Sequence, residues 1–239
     1  DEAHMLSKQA WNALLKTLEE PPKHCIFILA TTELEKVPET VLSRCQTFTF
    51  KKPTEEVLRS TIENVAKKEG FTLEQSASEL IAFLADGSFR DSQSILQKIL
   101  SSSKDMKISV KEVEMVTGAP KGQLLNDIIQ AIDENNISKA LNVLKLAKDE
   151  NIDMKVFLKL LLERMRNILL LRYAPDLEEE IRNSLSSETF ELLQSLSKKK
   201  SSRINSKTLD EFLRAYEEMS FSAIKSLPLE LALMRLQEV

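Results

Sequence analysis

The sequence predicts a mainly α-helical chain that opens with a short α/β segment, and three observations carry that prediction. Apolar residues recur at helical spacing through nearly all of residues 53–239. Only four glycines occur in 239 residues, while the helix-favouring Leu, Lys, Glu and Ala dominate. Two β-like runs stand in the first fifty residues, one continuous and apolar, the other alternating.

Taken in order, Ser7 caps a first helix that places Ala10, Trp11, Leu14, Leu15 and Leu18 on one face and stops at Pro21-Pro22. Cys25-Ile26-Phe27-Ile28-Leu29-Ala30 reads as a strand buried on both faces of a parallel sheet, and Gln46-Thr47-Phe48-Thr49-Phe50 as a second strand. Residues 1–52 are therefore a helix-strand-turn-strand piece of an α/β sheet. Residues 53–119 give four helices. The first has Thr54 as its cap, Val57, Leu58, Ile62, Val65 and Ala66 on its inner face, and Gly70 at its close. The second ends near Asp86-Gly87, the third runs from about Ser88 through Ile99, and the fourth carries Val110, Val113 and Val116 ahead of Gly118.

Residues 120–239 predict an all-helical domain, with helices over 123–135, 137–150, 153–173, 176–185, 187–197 and 206–226 and a last one after Pro228. Leucines and isoleucines occupy nearly every side of 153–173, which marks that helix as central and buried.

Composition bounds the function. Apolar residues make up 42% of the chain, enough to fill real cores. The net charge of -4, from 33 basic and 37 acidic residues, exerts no global pull on nucleic acid. Cys25 and Cys45 form neither a disulfide framework nor a zinc ligand set, and no apolar run reaches the length of a membrane span. The expectation is a reduced, cytoplasmic setting with no membrane partner. The basic loop of Lys198, Lys199, Lys200, Arg203 and Lys207 reads as a solvated linker, with a phosphate or partner contact as the alternative.

Asp1-Glu2-Ala3-His4 is a short acidic motif of the kind that nucleotide hydrolases place at a strand end, where one carboxylate serves magnesium and the next polarises water. Alone it is also what a solvated acidic terminus looks like. Order and context add weight: after it come Leu14-Leu15-Lys16-Thr17-Leu18-Glu19-Glu20-Pro21-Pro22, then Leu29-Ala30-Thr31-Thr32-Glu33, then Leu42-Ser43-Arg44-Cys45-Gln46, and later Gly87-Ser88-Phe89-Arg90-Asp91. This series resembles the bacterial clamp-loader gamma/tau subunits of DNA polymerase III, members of the AAA+ class. The resemblance is dense over residues 1–100 and looser beyond.

The resemblance implies a fold and a set of roles. Residues 1–52 would be the later part of an AAA+ α/β nucleotide-binding domain, 53–119 a small helical lid, and 120–239 an all-α collar. Asp1 would help hold Mg2+ through water, and Glu2 would orient the attacking water. Thr32 would be sensor 1, Arg90 sensor 2 on the lid, and Arg44 an arginine finger reaching a neighbouring subunit's nucleotide. Ser43 and Cys45 would support Arg44, and His4 and His24 have no triad context. Ser92-Gln93-Ser94 departs from the family pattern after Arg90 and puts the packing of that helix in question.

The implied partners are the other clamp-loader subunits (gamma/tau, delta and delta-prime) met through the collar, a sliding clamp and primed DNA. ATP and Mg2+ would be the cofactors of the full-length parent. No Gly-x-x-x-x-Gly-Lys-Ser/Thr loop occurs in the sequence, so the expectation is that the chain begins inside a domain and alone binds no ATP tightly. Three alternatives stay open: a delta-prime-type subunit, a DEAH-box helicase, which would need motor motifs not seen in the sequence, and a non-enzymatic helical scaffold.

Overall fold

The computed structural model describes residues 1–103 and 105–237, and the chain divides into two compact units, Asp1–Lys51 and Lys52–Val239. In the first unit, a 3-10 turn, Ala3–Met5, leads into α1, Lys8–Glu19. The Ser7 hydroxyl accepts the Ala10 N–H at 3.2 Å, so the predicted cap forms, and Pro21-Pro22 follow the helix end. A second 3-10 turn, Leu34–Lys36, and a four-residue helix α2, Glu39–Leu42, complete the unit. Trp11 of α1 and Val41 of α2 are buried together with Ala3 and Val37, and Leu14, Leu15, Leu18 and Cys45 pack around them.

The two β-like runs are not hydrogen-bonded strands among the described residues. A strand needs a ladder on at least one edge. One rung exists here, from the Ala3 N–H to the Ala30 carbonyl at 2.8 Å. Ile26, Ile28 and Phe50 are each more than four-fifths exposed, so the apolar faces that made these segments read as buried strands are uncovered in this unit.

The second unit starts with four helices: α3, Glu55–Lys68; α4, Gln75–Leu84; α5, Phe89–Ser102; and α6, Val110–Thr117. Leu58, Ile62, Ala66, Ile81, Leu96, Ile99 and Val113 form their shared core. Of the expected inner face, Leu58, Ile62 and Ala66 form the buried stripe, while Val57 lies at its edge and is exposed. Thr54 and Ser88 accept N–H groups three residues on, and Ser109 with Glu112 makes a reciprocal capping box. Gly70 and Gly118 take φ of 85° and 69° at the ends of α3 and α6, where a side chain would be strained. The doubt over Ser92 is resolved: its buried hydroxyl donates to the Phe89 carbonyl at 2.8 Å, and α5 runs without a break. The helical periodicity hid one feature, a two-residue parallel pair of β1, Thr72–Leu73, and β2, Lys107–Ile108.

The remaining helices are α7, Gly122–Asp133; α8, Ile137–Asp149; α9, Met154–Tyr173; α10, Glu178–Asn183; α11, Ser187–Lys198; α12, Ser206–Glu218; and α13, Leu227–Arg235. Helix α9 is the spine. Phe157, Leu158, Leu161, Met165 and Ile168 are buried along it, and α7, α11 and α12 pack against it. Burying a side chain such as Phe157 contributes about 2–3 kcal/mol.

Two helix expectations are corrected. The segment 176–185 begins as a 3-10 turn at Pro175–Leu177, with proline in its first turn, before α10. The segment 206–226 stops being helical after Glu218: the Lys225 ammonium caps the Met219 carbonyl at 3.0 Å, and Ser222 donates to Ile224.

Polar groups fix helices α7–α13 to each other and to α3–α6. Asp133, with a side chain only 3% exposed, accepts from Lys199 Nζ at 2.6 Å and from the Arg203 N–H at 3.0 Å, so Lys199 is a structural partner as well as part of a basic loop. Arg164 donates to the Gly122 carbonyl at 2.8 Å and also to Asn126 Oδ1. Burial pulls the Arg164 guanidinium down to about 10, against the pull of Glu114. Lys159 donates to the Phe83 carbonyl at the end of α4, 3.1 Å away.

Candidate functional site

The acidic pair sits where the first unit folds back on itself. Glu2 holds a left-handed backbone at φ 50°, a conformation costing on the order of 1 kcal/mol for a residue with a side chain. Its N–H donates to Asp1 Oδ1 at 3.0 Å, and its carbonyl accepts the Met5 N–H at 2.9 Å. The rung from Ala3 to Ala30 brings this segment beside Thr31–Glu33.

His4 is the side chain that joins the two segments. It is 9% exposed, with Nδ1 2.8 Å from Thr31 Oγ1 and 3.4 Å from Glu2 Oε2, and Nε2 3.4 Å from Glu33 Oε1. Thr31 Oγ1 also accepts the Glu33 N–H at 3.0 Å. Glu33 in turn pairs with Lys36 at 2.6 Å, and this hydrogen bond and charge, with His4 adding to them, hold its carboxyl below the usual carboxylate range. Thr32, named from the sequence, is exposed and makes no side-chain hydrogen bond among the described residues, whereas its neighbour Thr31 carries the contacts. In the sequence His4 has no triad context. The signal that marks it is proximity, since His4 lies two residues beyond Glu2.

Arg44 is placed by other elements. It follows α2, and its guanidinium donates to Glu19 Oε1 at 2.6 Å, to the Thr40 carbonyl at 2.6 Å and to Ser43 Oγ at 3.3 Å. Glu19 is the last residue of α1, so the packing of α1 on α2 sets this geometry. Ser43 supports the guanidinium directly, and the half-buried Cys45 packs into the core beneath. Arg90 belongs to the second unit. It lies in the first turn of α5, exposed, and its guanidinium has no ion pair or hydrogen bond among the described residues, Asp91 included. No group of three or more His, Cys, Asp or Glu side chains converges as a metal cage among the described residues. No described helix is long and apolar enough to cross a membrane.

Comparison with known proteins adds to this geometry. Residues 1–54 match the family profile described as DNA polymerase III, delta subunit, and residues 108–239 match that described as DNA polymerase III subunits gamma and tau domain III. The chain is 34% identical over 236 residues to the DNA polymerase III subunit tau of Bacillus subtilis, covering 99% of this chain and 41% of that protein. It is 40% identical over 159 residues to the gamma/tau subunit of Mycoplasma genitalium, covering 66% of this chain and 27% of that one. Among solved structures, the Bacillus subtilis DNA clamp loader delta protein aligns with 95% of this chain and 71% of its own, at 19% identity and a TM-score of 0.40.

A mainly helical chain whose two profile matches both fall in DNA polymerase III is a subunit of the clamp-loader type. It belongs to the gamma and tau family of DNA polymerase III subunits. The chain spans about two-fifths of the length of the Bacillus subtilis relative.

Proposed function

We propose that this chain is the sensing, lid and collar portion of a clamp-loader ATPase subunit that uses ATP to place a ring-shaped sliding clamp on primed DNA. The observation that carries this reading is the match to the Bacillus subtilis tau subunit across 236 residues, which spans both the Asp1–Lys51 unit and the helical unit in one relative. The collar-like helices α7–α13 are proposed to meet the other loader subunits.

In this reading Glu2 orients the attacking water, Thr32 and Arg90 sense the nucleotide, and Arg44 reaches the γ-phosphate bound by an adjacent subunit. A guanidinium suits that task because it stays charged and presents several donors in a rigid plane. Asp1 fits Mg2+ as a single water-mediated contact: one of its oxygens accepts the Glu2 N–H and the other accepts nothing among the described residues. Magnesium in such enzymes rests on one or two carboxylates together with the substrate phosphates, so a full protein cage is not required. The ion supplies charge neutralisation on the phosphates; the residues here supply water and transition-state positioning.

The delta-subunit match of residues 1–54 favours a second reading, a delta-prime-type subunit. The presence of Asp1, Glu2 and Arg90 points instead to a hydrolysing subunit. Measuring DNA-stimulated ATPase of the full-length protein in the assembled loader, with and without Arg44→Ala, tests the proposal. Turnover should fall by about 100-fold or more, and unchanged turnover would remove Arg44 from the site.

A further inference from the structure

We infer that His4 is a positioning residue that fixes the Glu2 carboxylate relative to the Thr31–Glu33 segment, coupling the water-orienting group to the neighbouring sensor residue Thr32. The inference rests on the reading of Glu2 given above. Its starting point is the nearly buried imidazole, which reaches Thr31 Oγ1 at 2.8 Å and stands 3.4 Å from a carboxylate on each side, Glu2 at Nδ1 and Glu33 at Nε2.

The backbone leaves His4 little freedom. The Met5 N–H closes the turn on the Glu2 carbonyl, and the Ala3 N–H ties the turn that carries His4 to Ala30, next to Thr31. Thr31 Oγ1 already accepts the Glu33 N–H, which leaves its hydroxyl proton and one lone pair for the ring. Either neutral tautomer can hydrogen-bond Thr31, but each turns one bare nitrogen toward one of the two carboxylates. Lys36 pairs with Glu33 at 2.6 Å, whereas among the described residues no side chain other than His4 lies within pairing distance of the Glu2 carboxylate. Of the two carboxylates, Glu2 therefore depends more on His4 for its orientation, and Thr32 is attached directly to the Thr31 anchor.

The test has two arms. In the whole chain, ring 15N and 13C resonances are recorded for the two histidines, with the exposed His24 as an internal control. Glu2→Gln and Thr31→Val should each move the His4 resonances and leave His24 in place. His4 resonances unmoved by Glu2→Gln overturn the contact itself, without recourse to nucleotide. In the second arm, ATPase is measured on the full-length protein in the assembled loader. His4→Ala should lower kcat about tenfold with KM nearly unchanged. His4→Gln, whose amide can still bond Thr31, should recover a large part of that loss. Thr31→Val serves as a second variant where His4→Ala disturbs folding, and it should lower kcat severalfold. Wild-type kcat in both His4→Ala and Thr31→Val overturns the positioning role. Unchanged turnover in Glu2→Gln overturns the assignment of Glu2, a failure that the resonance arm separates from failure of the contact.

Discussion

Arg44 Nη2 and Glu19 Oε1 meet at 2.6 Å, so the arginine proposed to act on a neighbour's nucleotide is held by a carboxylate of its own unit. A half-exposed ion pair of this kind contributes about 0–1 kcal/mol to stability. Its value lies in direction: with Thr40 and Ser43 as further acceptors, the guanidinium is fixed in a single pose.

Glu19→Gln should therefore leave the melting temperature within a degree or two, in keeping with an effect of about 0.5 kcal/mol, and lower kcat severalfold by loosening Arg44. Steady-state ATPase of the assembled loader together with thermal unfolding checks this. A large loss of stability without a change in kcat would make the pair a structural one.

Arg90 stands at the opposite extreme, exposed and without a protein partner among the described residues. Arg90→Ala is expected to leave the urea midpoint of this chain unchanged within about 0.5 kcal/mol while weakening nucleotide-dependent behaviour of the full-length protein. Calorimetric titration of ATP into the full-length protein measures the second effect.

Asp133 gives a pH prediction with a defined sign. Burial would raise its carboxyl, but Lys199, the Ser202 hydroxyl and the Arg203 N–H outweigh that, and the net shift is downward. A carboxylate lowered on folding contributes stability above its unfolded value near about 3.9, and that contribution is lost as pH falls through the lower folded value. Asp133→Asn should cost about 2 kcal/mol at neutral pH, and its difference from wild type should close below about pH 4. Urea unfolding from pH 3 to pH 8 reads this directly.

Arg164 is a second, largely desolvated charge in the helical unit. With its value at about 10 it remains protonated at neutral pH. Arg164→Leu removes the donor to Gly122 and Asn126, and leaving those groups unpaired should cost about 2 kcal/mol in unfolding free energy. Urea unfolding of the variant at pH 7 is the measurement, and a neutral result would mean that leucine packing replaces the bonds.

Local rules made most of the helical architecture legible. Ser7 and Thr54 cap where their side chains said they would, and Gly70 and Gly118 take a left-handed backbone at the ends of α3 and α6. The helix end at Glu218 was not legible, because the side chain of Lys225 caps the Met219 carbonyl from six residues on and no proline or glycine marks the stop. The β-like runs failed for a related reason: Ile26, Ile28 and Phe50 have the right pattern, but a strand depends on a neighbour, and pattern alone cannot show one. In the candidate site, motif order alone points to Glu2 and Arg44, while the contacts of His4 with Thr31 and of Arg44 with Glu19 appear only as distances across 27 and 25 residues of chain.

Arg44 is proposed to act across a subunit boundary, and ATPase activity of mixed assemblies tests that proposal. Full-length protein carrying Glu2→Gln is co-assembled with full-length protein carrying Arg44→Ala, each being deficient when assembled alone. Mixed loaders should regain turnover, because an intact Arg44 from one subunit then faces an intact Glu2 in the next. Mixed loaders no more active than the average of the two single-variant assemblies would contradict action in trans.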